Sequence, residues 1–389
     1  MAATKTTYLE LNPLKRTPLL KVQTHHPDPE PTINAKATHH HPFPLPKETS
    51  SSENGRVYWI GNATTIIEWH GIRILTDPNF LHAGDHVHLG PGVTAQRLKD
   101  PAIDMHELPP LDCILLSHYH EDHFDKQVEE SINRSFPIIS TPHAKAALES
   151  KPEKFTSVYG LDFFEDLMLV GNSSTESKSG KKPVVKVTAT PGKHVPPGPL
   201  SAINDFLGAV PPTNGWLIEM GFTIPSPPAQ PPLPAEEVKY RIYISGDTLF
   251  VDELKEIKQR LRNEKINLML VHLGGTTIPG PKAPLFMVTM DGKQGVKLMR
   301  LMDPEVTIPV HFDDYDVMLS GLDDFLGEVE GMDDEDERVN ADEGKEGEWK
   351  AEGEGAAGGM GKMKWKDRVV VLGRGEEYVF RVDESGKEE

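Results

Sequence analysis

One cysteine, Cys113, stands in 389 residues. A lone thiol excludes an internal disulfide and a cysteine-rich zinc module, and it suits a reducing compartment. The chain also lacks any run approaching 18 uninterrupted apolar residues, and its start, MAATKTTYLELNPLKR, has no apolar core of signal-peptide length. The expectation is a soluble, cytoplasmic protein without a transmembrane segment. Positive charge is scarce: 41 Lys and Arg face 60 Asp and Glu, a net charge of -19. A nucleic-acid partner is not expected, because binding a phosphate backbone needs a cationic face that releases counterions.

What is present is uneven. The 37% hydrophobic content is that of a globular protein, and the length suits one large domain or two ordinary ones. Residues 323–354 hold fifteen acidic side chains against Arg338, Lys345 and Lys350, so about -12 of the net charge sits there. The Gly-rich acidic stretch at about 327–364 reads as a disordered, low-complexity insertion. Residues 1–54, rich in Pro, Thr, Ser and His, read as an extended, partly disordered arm, and the run His39, His40, His41 within it as a tract without fixed geometry. Residues 55–389 are then a single domain that carries the insertion and ends in a β-hairpin over 367–382.

Order begins near Arg56. VYWIGNATTIIEW and IRILTDP alternate β-branched and aromatic residues about the turn His70-Gly71, which predicts a hairpin. LDCILLS (111–117) is almost wholly apolar, as a strand covered on both faces should be. KQVEESINR and AKAALES read as helices around the strand FPIIST. Further on, VVKVTAT, GWLIEMGF, YRIYIS, NLMLVHL and VTIPVHF read as strands, and DELKEIKQRLR and GKQGVKLMRLM as helices. GWLIEMGF is expected to pair with YRIYIS. Both halves mix strand and helix, so the fold class is α+β, with two mixed sheets face to face and helices outside.

The densest chemistry is SHYHEDHFD (117–125), three histidines and three carboxylates at the end of an apolar strand. Zinc and similar ions take imidazole nitrogens and carboxylate oxygens, so ligands clustered at a rigid strand end suit a metal site. A polar helix-start loop with Asp125 as N-cap accounts for Asp125, but it does not require histidine at three positions.

His118-Tyr119-His120-Glu121-Asp122-His123 resembles the HxHxDH signature of the metallo-β-lactamase superfamily, whose fold is a four-layered αββα sandwich. That resemblance implies His118, His120 and His194 on one metal, Asp122, His123 and His311 on a second, and Asp247 bridging them. His194 follows VVKVTATPGK, Asp247 follows YRIYISG, and His311 follows VTIPV. His143 and His272 are the rivals of His194 and His311. IGNATTIIEWHGIRILTDP and HFDDYD resemble the branch containing L-ascorbate 6-phosphate lactonase and N-acylphosphatidylethanolamine phospholipase D. Asn62 departs from the histidine usual at that point of the opening hairpin.

The implied activity is hydrolysis. Two divalent ions, Zn²⁺ first with Mn²⁺ or Fe²⁺ also compatible, would supply a metal-bound hydroxide that cleaves an ester, lactone, amide or lactam of a small molecule. Asp122 and Asp247 are the catalytic carboxylates of that reading. A phosphodiesterase of the phospholipase D-like branch is the alternative; readings of another class are an iron-dependent oxidoreductase and a non-catalytic binding protein. Asp77, in TDP, is expected either to orient a metal-bound imidazole or to be a strand-end turn residue before Pro78, and His272 to contact substrate or make a hydrogen bond at its strand end. His82, His86 and His88 in NFLHAGDHVHLGPG are lid candidates.

Overall fold

The computed structural model describes residues 7–21, 53–90, 92–171, 181–196, 198, 204, 210–223, 238–262, 264–280, 283–347 and 363–383. Strand β1 (Thr7–Leu11) is followed by the meander β2 (Gly55–Gly61), β3 (Thr64–Trp69) and β4 (Ile72–Thr76). A short ribbon, β5 (His86–His88) with β6 (Thr94–Gln96), leads to β7 (Cys113–Leu115), α1 (Lys126–Ser131), β8 (Ile138–Ser140), α2 (Pro142–Glu149) and β9 (Val158–Gly160). The second half holds β10 (Asp166–Gly171), β11 (Pro183–Pro191), β12 (Asn214–Phe222), β13 (Val238–Ile244), α3 (Leu254–Leu261) and β14 (Leu268–His272). It continues through the pair β15 (Thr277–Gly280) and β16 (Ala283–Met287), then α4 (Gly292–Met302), β17 (Val306–Val310), α5 (Leu322–Gly347) and β18 (Glu377–Phe380).

These strands make two seven-stranded sheets, in the orders β18-β2-β3-β4-β7-β8-β9 and β1-β10-β11-β12-β13-β14-β17. The first sheet is buried on both faces, and its sequence shows how. Val57, Trp59, Ile67, Trp69, Ile72, Ile74, Cys113 and Leu115 face the core shared with the second sheet. Their neighbours Tyr58, Ile60, Ile66, Leu75, Ile114 and Leu116 face the opposite way, onto Phe124, Val128, Ile132 and Leu148 around α1 and α2. Alternate residues pointing to opposite, equally apolar sides turn LDCILLS and VYWI into continuous hydrophobic runs. On the far side, Leu254, Ile257 and Leu261 of α3 and Val296, Leu298, Met299 and Met302 of α4 join the main core. The result is the layered sandwich with outer helices that the strand and helix pattern implied.

The predicted His70-Gly71 turn joins β3 to β4, with both residues at positive φ, and β12 pairs antiparallel with β13. Three expectations need revision. The described part of the N-terminal arm, 7–21, supplies β1, which pairs parallel with β10, and Arg16, which meets Asp112 at 2.8 Å; His39 to His41 lie outside the described residues. The acidic stretch opens as helix: α5 extends to Gly347 because Phe325, Val329 and Met332, at helical spacing, are buried and Asp333 accepts the backbone N–H of Trp365 at 2.7 Å. Finally, 367–382 is not a hairpin. Val369 bridges Thr307 in the second sheet while β18 pairs with β2 in the first, so this segment straps one sheet to the other. Among the described residues, no helix is long and apolar enough to cross a membrane.

Phe380 anchors that strap: it is 4% exposed, stacks on Tyr240 with centroids 4.3 Å apart, and covers Gly55. Phe380→Ala is expected to cost about 3–5 kcal/mol, read as a lower midpoint in urea unfolding; an unchanged midpoint would show that the strap adds nothing to the fold.

Candidate metal centre

Strand direction places the site. In the second sheet β11, β13, β14 and β17 all run the same way, since β12 is antiparallel to both β11 and β13 while β13, β14 and β17 are mutually parallel. Their C-terminal ends therefore share one rim. His194 lies just beyond β11, Asp247 just beyond β13, His272 ends β14, and His311 follows β17. In the first sheet β4 and β7 are parallel, so Asp77 and the loop from Ser117 share a rim too. The Asn214 N–H donates to the Ser117 carbonyl at 3.0 Å and joins the two rims. Gly246 permits the approach of the Asp247 loop. It has φ +62, and a Cβ there would lie 2.4 Å from the Asn214 carbonyl oxygen.

The seven residues singled out as ligands converge as two groups whose ligand atoms lie within 4.8 Å of one another: His118, His120 and His194; and Asp122, His123, Asp247 and His311. Asp247 Oδ2 lies 3.1 Å from His123 Nε2, 3.6 Å from His311 Nε2 and 4.0 Å from His194 Nε2, so one oxygen faces both groups. All but His120 are at most 6% exposed. Of the rivals, His143 is exposed in the first turn of α2, whereas His272 joins Asp77 and His123 in an adjoining group that shares His123 with the second.

Four of the five imidazoles are tied at Nδ1. His194 Nδ1 lies 2.6 Å from the Val288 carbonyl and His311 Nδ1 lies 3.2 Å from that of Leu273. A carbonyl only accepts, so both Nδ1 atoms carry the proton and both Nε2 atoms are free to bind a cation. His118 Nδ1 lies 2.9 Å from Ser117 Oγ, and His123 Nδ1 lies 3.3 Å from the same hydroxyl and 3.4 Å from Asp77 Oδ2. The Nε2 atoms of His118 and His120 are buried and take no hydrogen bond, and those of His123 and His311 face only the carboxylates of Asp122 and Asp247. Buried polar atoms are seldom left as the first two are. Four Nε2 atoms aimed into one space, beside two carboxylates, fit divalent cations by donor chemistry and by number.

Electrostatics agree. Burial lowers His118 well below the ordinary imidazole range, with His123 and His194 adding to it, and burial lowers His194 and His272 against the pull of Asp247. Burial works the same way on His123, but Asp247, Asp122 and Asp77 outweigh it and hold that ring well above its usual range; His311 is raised by Asp247 and Asp122. Burial raises Asp122 and Asp247, and the facing imidazoles reverse it, so both carboxyls sit well below the usual carboxylate range. The carboxylates thus recruit protons onto His123 and His311 where a metal would otherwise supply positive charge.

Around this lie the supporting residues. Asp77 Oδ1 accepts the Ser117 N–H at 2.7 Å while its Oδ2 faces His123, and His272 Nδ1 lies 3.0 Å from Asp247 Oδ1. Asp77 and His311 both hold positive φ, 35° and 58°, a backbone state non-glycine residues adopt at a cost of about 1–3 kcal/mol. Ser117 was not singled out from the sequence; its place as the last residue of an apolar strand was the available signal. Asp125 is the N-cap, accepting from Val128 N–H at 2.8 Å and Phe80 N–H at 2.7 Å. Among the lid candidates, the His88 N–H donates to Glu121 at 2.7 Å, fastening the β5–β6 ribbon to the motif loop, while His82 bonds Asp104 and His86 is exposed.

The model of the beta-lactamase superfamily domain matches residues 72–312, more than half of the chain. The chain belongs to the beta-lactamase superfamily. It is 26% identical to the N-acyl-phosphatidylethanolamine-hydrolyzing phospholipase D 1 of Caenorhabditis elegans over 52% of its own length and 49% of that enzyme's. It therefore spans about half of that relative. A UPF0173 metal-dependent hydrolase of Caldivirga maquilingensis is 22% identical over 72% of this chain and 91% of its own. The fold matches the crystal structure of a possible metal-dependent hydrolase from Veillonella parvula with a TM-score of 0.57 at 16% identity, covering 85% of this chain and all of that one.

Asp77→Asn is expected to lower metal affinity about 10–100-fold, measured by competition with a chromophoric chelator. Unchanged affinity would reduce Asp77 to a turn residue before Pro78.

Proposed function

We propose that this chain, a metal-dependent hydrolase by family, holds two divalent ions and cleaves an ester, lactone, amide or lactam bond of a small molecule. One observation carries the reading: two buried ligand groups lie on either side of Asp247 Oδ2 and aim their imidazole Nε2 atoms at a common space. His118, His120 and His194 would hold one ion, Asp122, His123 and His311 the other, with Asp247 between them. When bound, such ions lower the pKa of a shared water toward neutrality and polarise the scissile oxygen. Zn²⁺ suits the nitrogen-rich donor set first, and Mn²⁺ or Fe²⁺ are compatible with it.

The protein's own groups have distinct tasks. Asp247 Oδ1 is engaged by His272, which leaves Oδ2 facing the ligand groups and prevents the carboxylate from rotating away. Asp122 is the nearer candidate for moving a proton to the leaving group: its buried Oδ1 lies 2.9 Å from His120 Nδ1. Beside the Asp247 loop a cavity of about 740 Å³ is lined by Leu249, Phe250, Val251, Phe286, Met287 and Lys297 among others. That volume suits a small molecule with an apolar portion. The nematode phospholipase D relative supports a second reading, phosphodiester cleavage. The lone, fully buried Cys113 accords with a cytoplasmic setting.

Elemental analysis should find close to two metals per chain. Removal with a chelator should abolish hydrolysis, and Zn²⁺ or Mn²⁺ should restore it. His120→Ala and Asp247→Ala should lose metal together with hydrolysis of one member of a panel of lactones, lactams and phosphodiesters, and that member names the bond. A folded protein that takes no stoichiometric metal from Zn²⁺ or Mn²⁺ would leave a non-catalytic binding role; an iron-dependent absorption band with no hydrolysis would point to redox chemistry.

A further inference from the structure

Asn62 stands where the opening-hairpin resemblance expects histidine, and its surroundings give it a task. It is fully buried, with φ 48°, in the turn between β2 and β3. Its side-chain Nδ2 donates to the Asp122 carbonyl at 2.7 Å. Its own carbonyl accepts the His311 N–H at 3.2 Å and Trp59 Nε1–H at 3.0 Å. A single residue of the first sheet is thereby bonded to the backbone of two members of the second ligand group, which otherwise come from different sheets. Nothing comparable joins Asn62 to His118, His120 or His194 among the described residues.

Asn62 is itself held. Its N–H donates to Asp314 Oδ2 at 2.8 Å. Asp314 is fully buried and paired with Arg97 at 2.9 Å through Oδ1 and with Arg374 at 2.9 Å through Oδ2. Arg374 also meets Asp313 at 2.6 Å, and its guanidinium lies 5.1 Å from the centre of the Trp59 ring. A buried carboxylate between two guanidiniums has little freedom, since losing either partner leaves an uncompensated charge. Asp314 thus fixes the backbone of Asn62 from below while Asn62 fixes Asp122 and His311 above. The strap that follows the acidic helix reaches the ligand groups through Arg374.

We propose that Asn62 is a positioning residue chiefly for one ion: it sets Asp122 against His311 and so determines the affinity of the Asp122–His123–Asp247–His311 group, reaching the three-histidine group only through the Asp122–His120 contact. This rests on the two-ion reading above. The position also explains the residue type. Asparagine tolerates left-handed φ better than other non-glycine residues, and it supplies a donor of the length needed to reach the Asp122 carbonyl. Its Oδ1 is buried without a hydrogen bond, so donation through Nδ2 alone orients the amide.

The test is stepwise Zn²⁺ titration against a chelator, with apo-protein unfolding measured in parallel, on wild type, Asn62→Gly and Asn62→Asp. Glycine keeps the positive φ and removes the donor; aspartate keeps the size and turns the donor into an acceptor. Both variants should bind one ion within two-fold of wild-type affinity and the other about 10–100-fold more weakly. In a His311→Ala background, Asn62→Gly should change the remaining affinity less than two-fold, because the ion it chiefly affects is already lost. Equal weakening of both ions, or a further loss in the His311→Ala background, would overturn the assignment, as would two ions bound at wild-type strength. A wild type that never takes a second ion would instead overturn the two-ion reading itself.

Discussion

Three carboxylates, Asp77, Asp122 and Asp247, are buried at the rim where the two sheets meet. Burying a carboxylate costs several kcal/mol unless donors or positive charge meet it, and most of the local structure follows from that requirement. Asp77 takes a backbone N–H and faces His123; Asp247 is bracketed by His123, His272 and His311; Asp122 lies against His120 and His311. The imidazoles meet that requirement, since the carboxylates hold His123 and His311 above their ordinary range against the tendency of burial. In the two-ion reading, divalent ions would take over that task from the protons.

Both ligand groups combine the first sheet's loop with the second sheet, in different proportion. The three-histidine group takes two members from the loop and one from the second sheet; Ser117 Oγ steers His118 and the Val288 carbonyl steers His194, and burial keeps those two rings in the neutral form a cation needs. The other group likewise spans the sheets, taking Asp122 and His123 from the first sheet's loop and Asp247 and His311 from the second, two from each, and depends on the register between them. That dependence accounts for the reinforcement there: His311 in a left-handed backbone state, Gly246 where no side chain fits, and Asn62 with Asp314 beneath.

Much of this was legible in the sequence because strand ends are legible. An apolar run that stops at a histidine or aspartate signals a side chain at a sheet rim, and LDCILLS, VVKVTAT, YRIYIS and VTIPV each do so. Asp77 could be read the same way from TDP. What sequence could not convey is contact between residues distant in the chain with no periodic pattern to link them: Arg374 with Asp314, or Asn62 with Asp122. The terminal hairpin failed for a related reason. VVVL and EYVF each have strand character, but strand character does not say with which sheet a strand pairs. In the acidic stretch, charge density hid Phe325, Val329 and Met332, whose spacing is helical and whose burial decides the outcome.

The strap and the metal groups bear on the same junction, and this bears on how the binding energy of the ions is used. In a small zinc module, folding waits for the metal, and binding free energy is spent on ordering the chain. Here the sheets are already joined by the shared core, by the Asn214–Ser117 hydrogen bond and by the segment from Trp365 to Val382 that bonds to both. Ligands from opposite sheets are therefore held facing one another by contacts of the fold itself. An ion at 100 times its dissociation constant would add about 2.7 kcal/mol to a fold that stands without it. A preformed rim also leaves the bound ions little freedom to shift as charge develops on a substrate, which is the condition under which fixed electrostatics lower a barrier instead of following it.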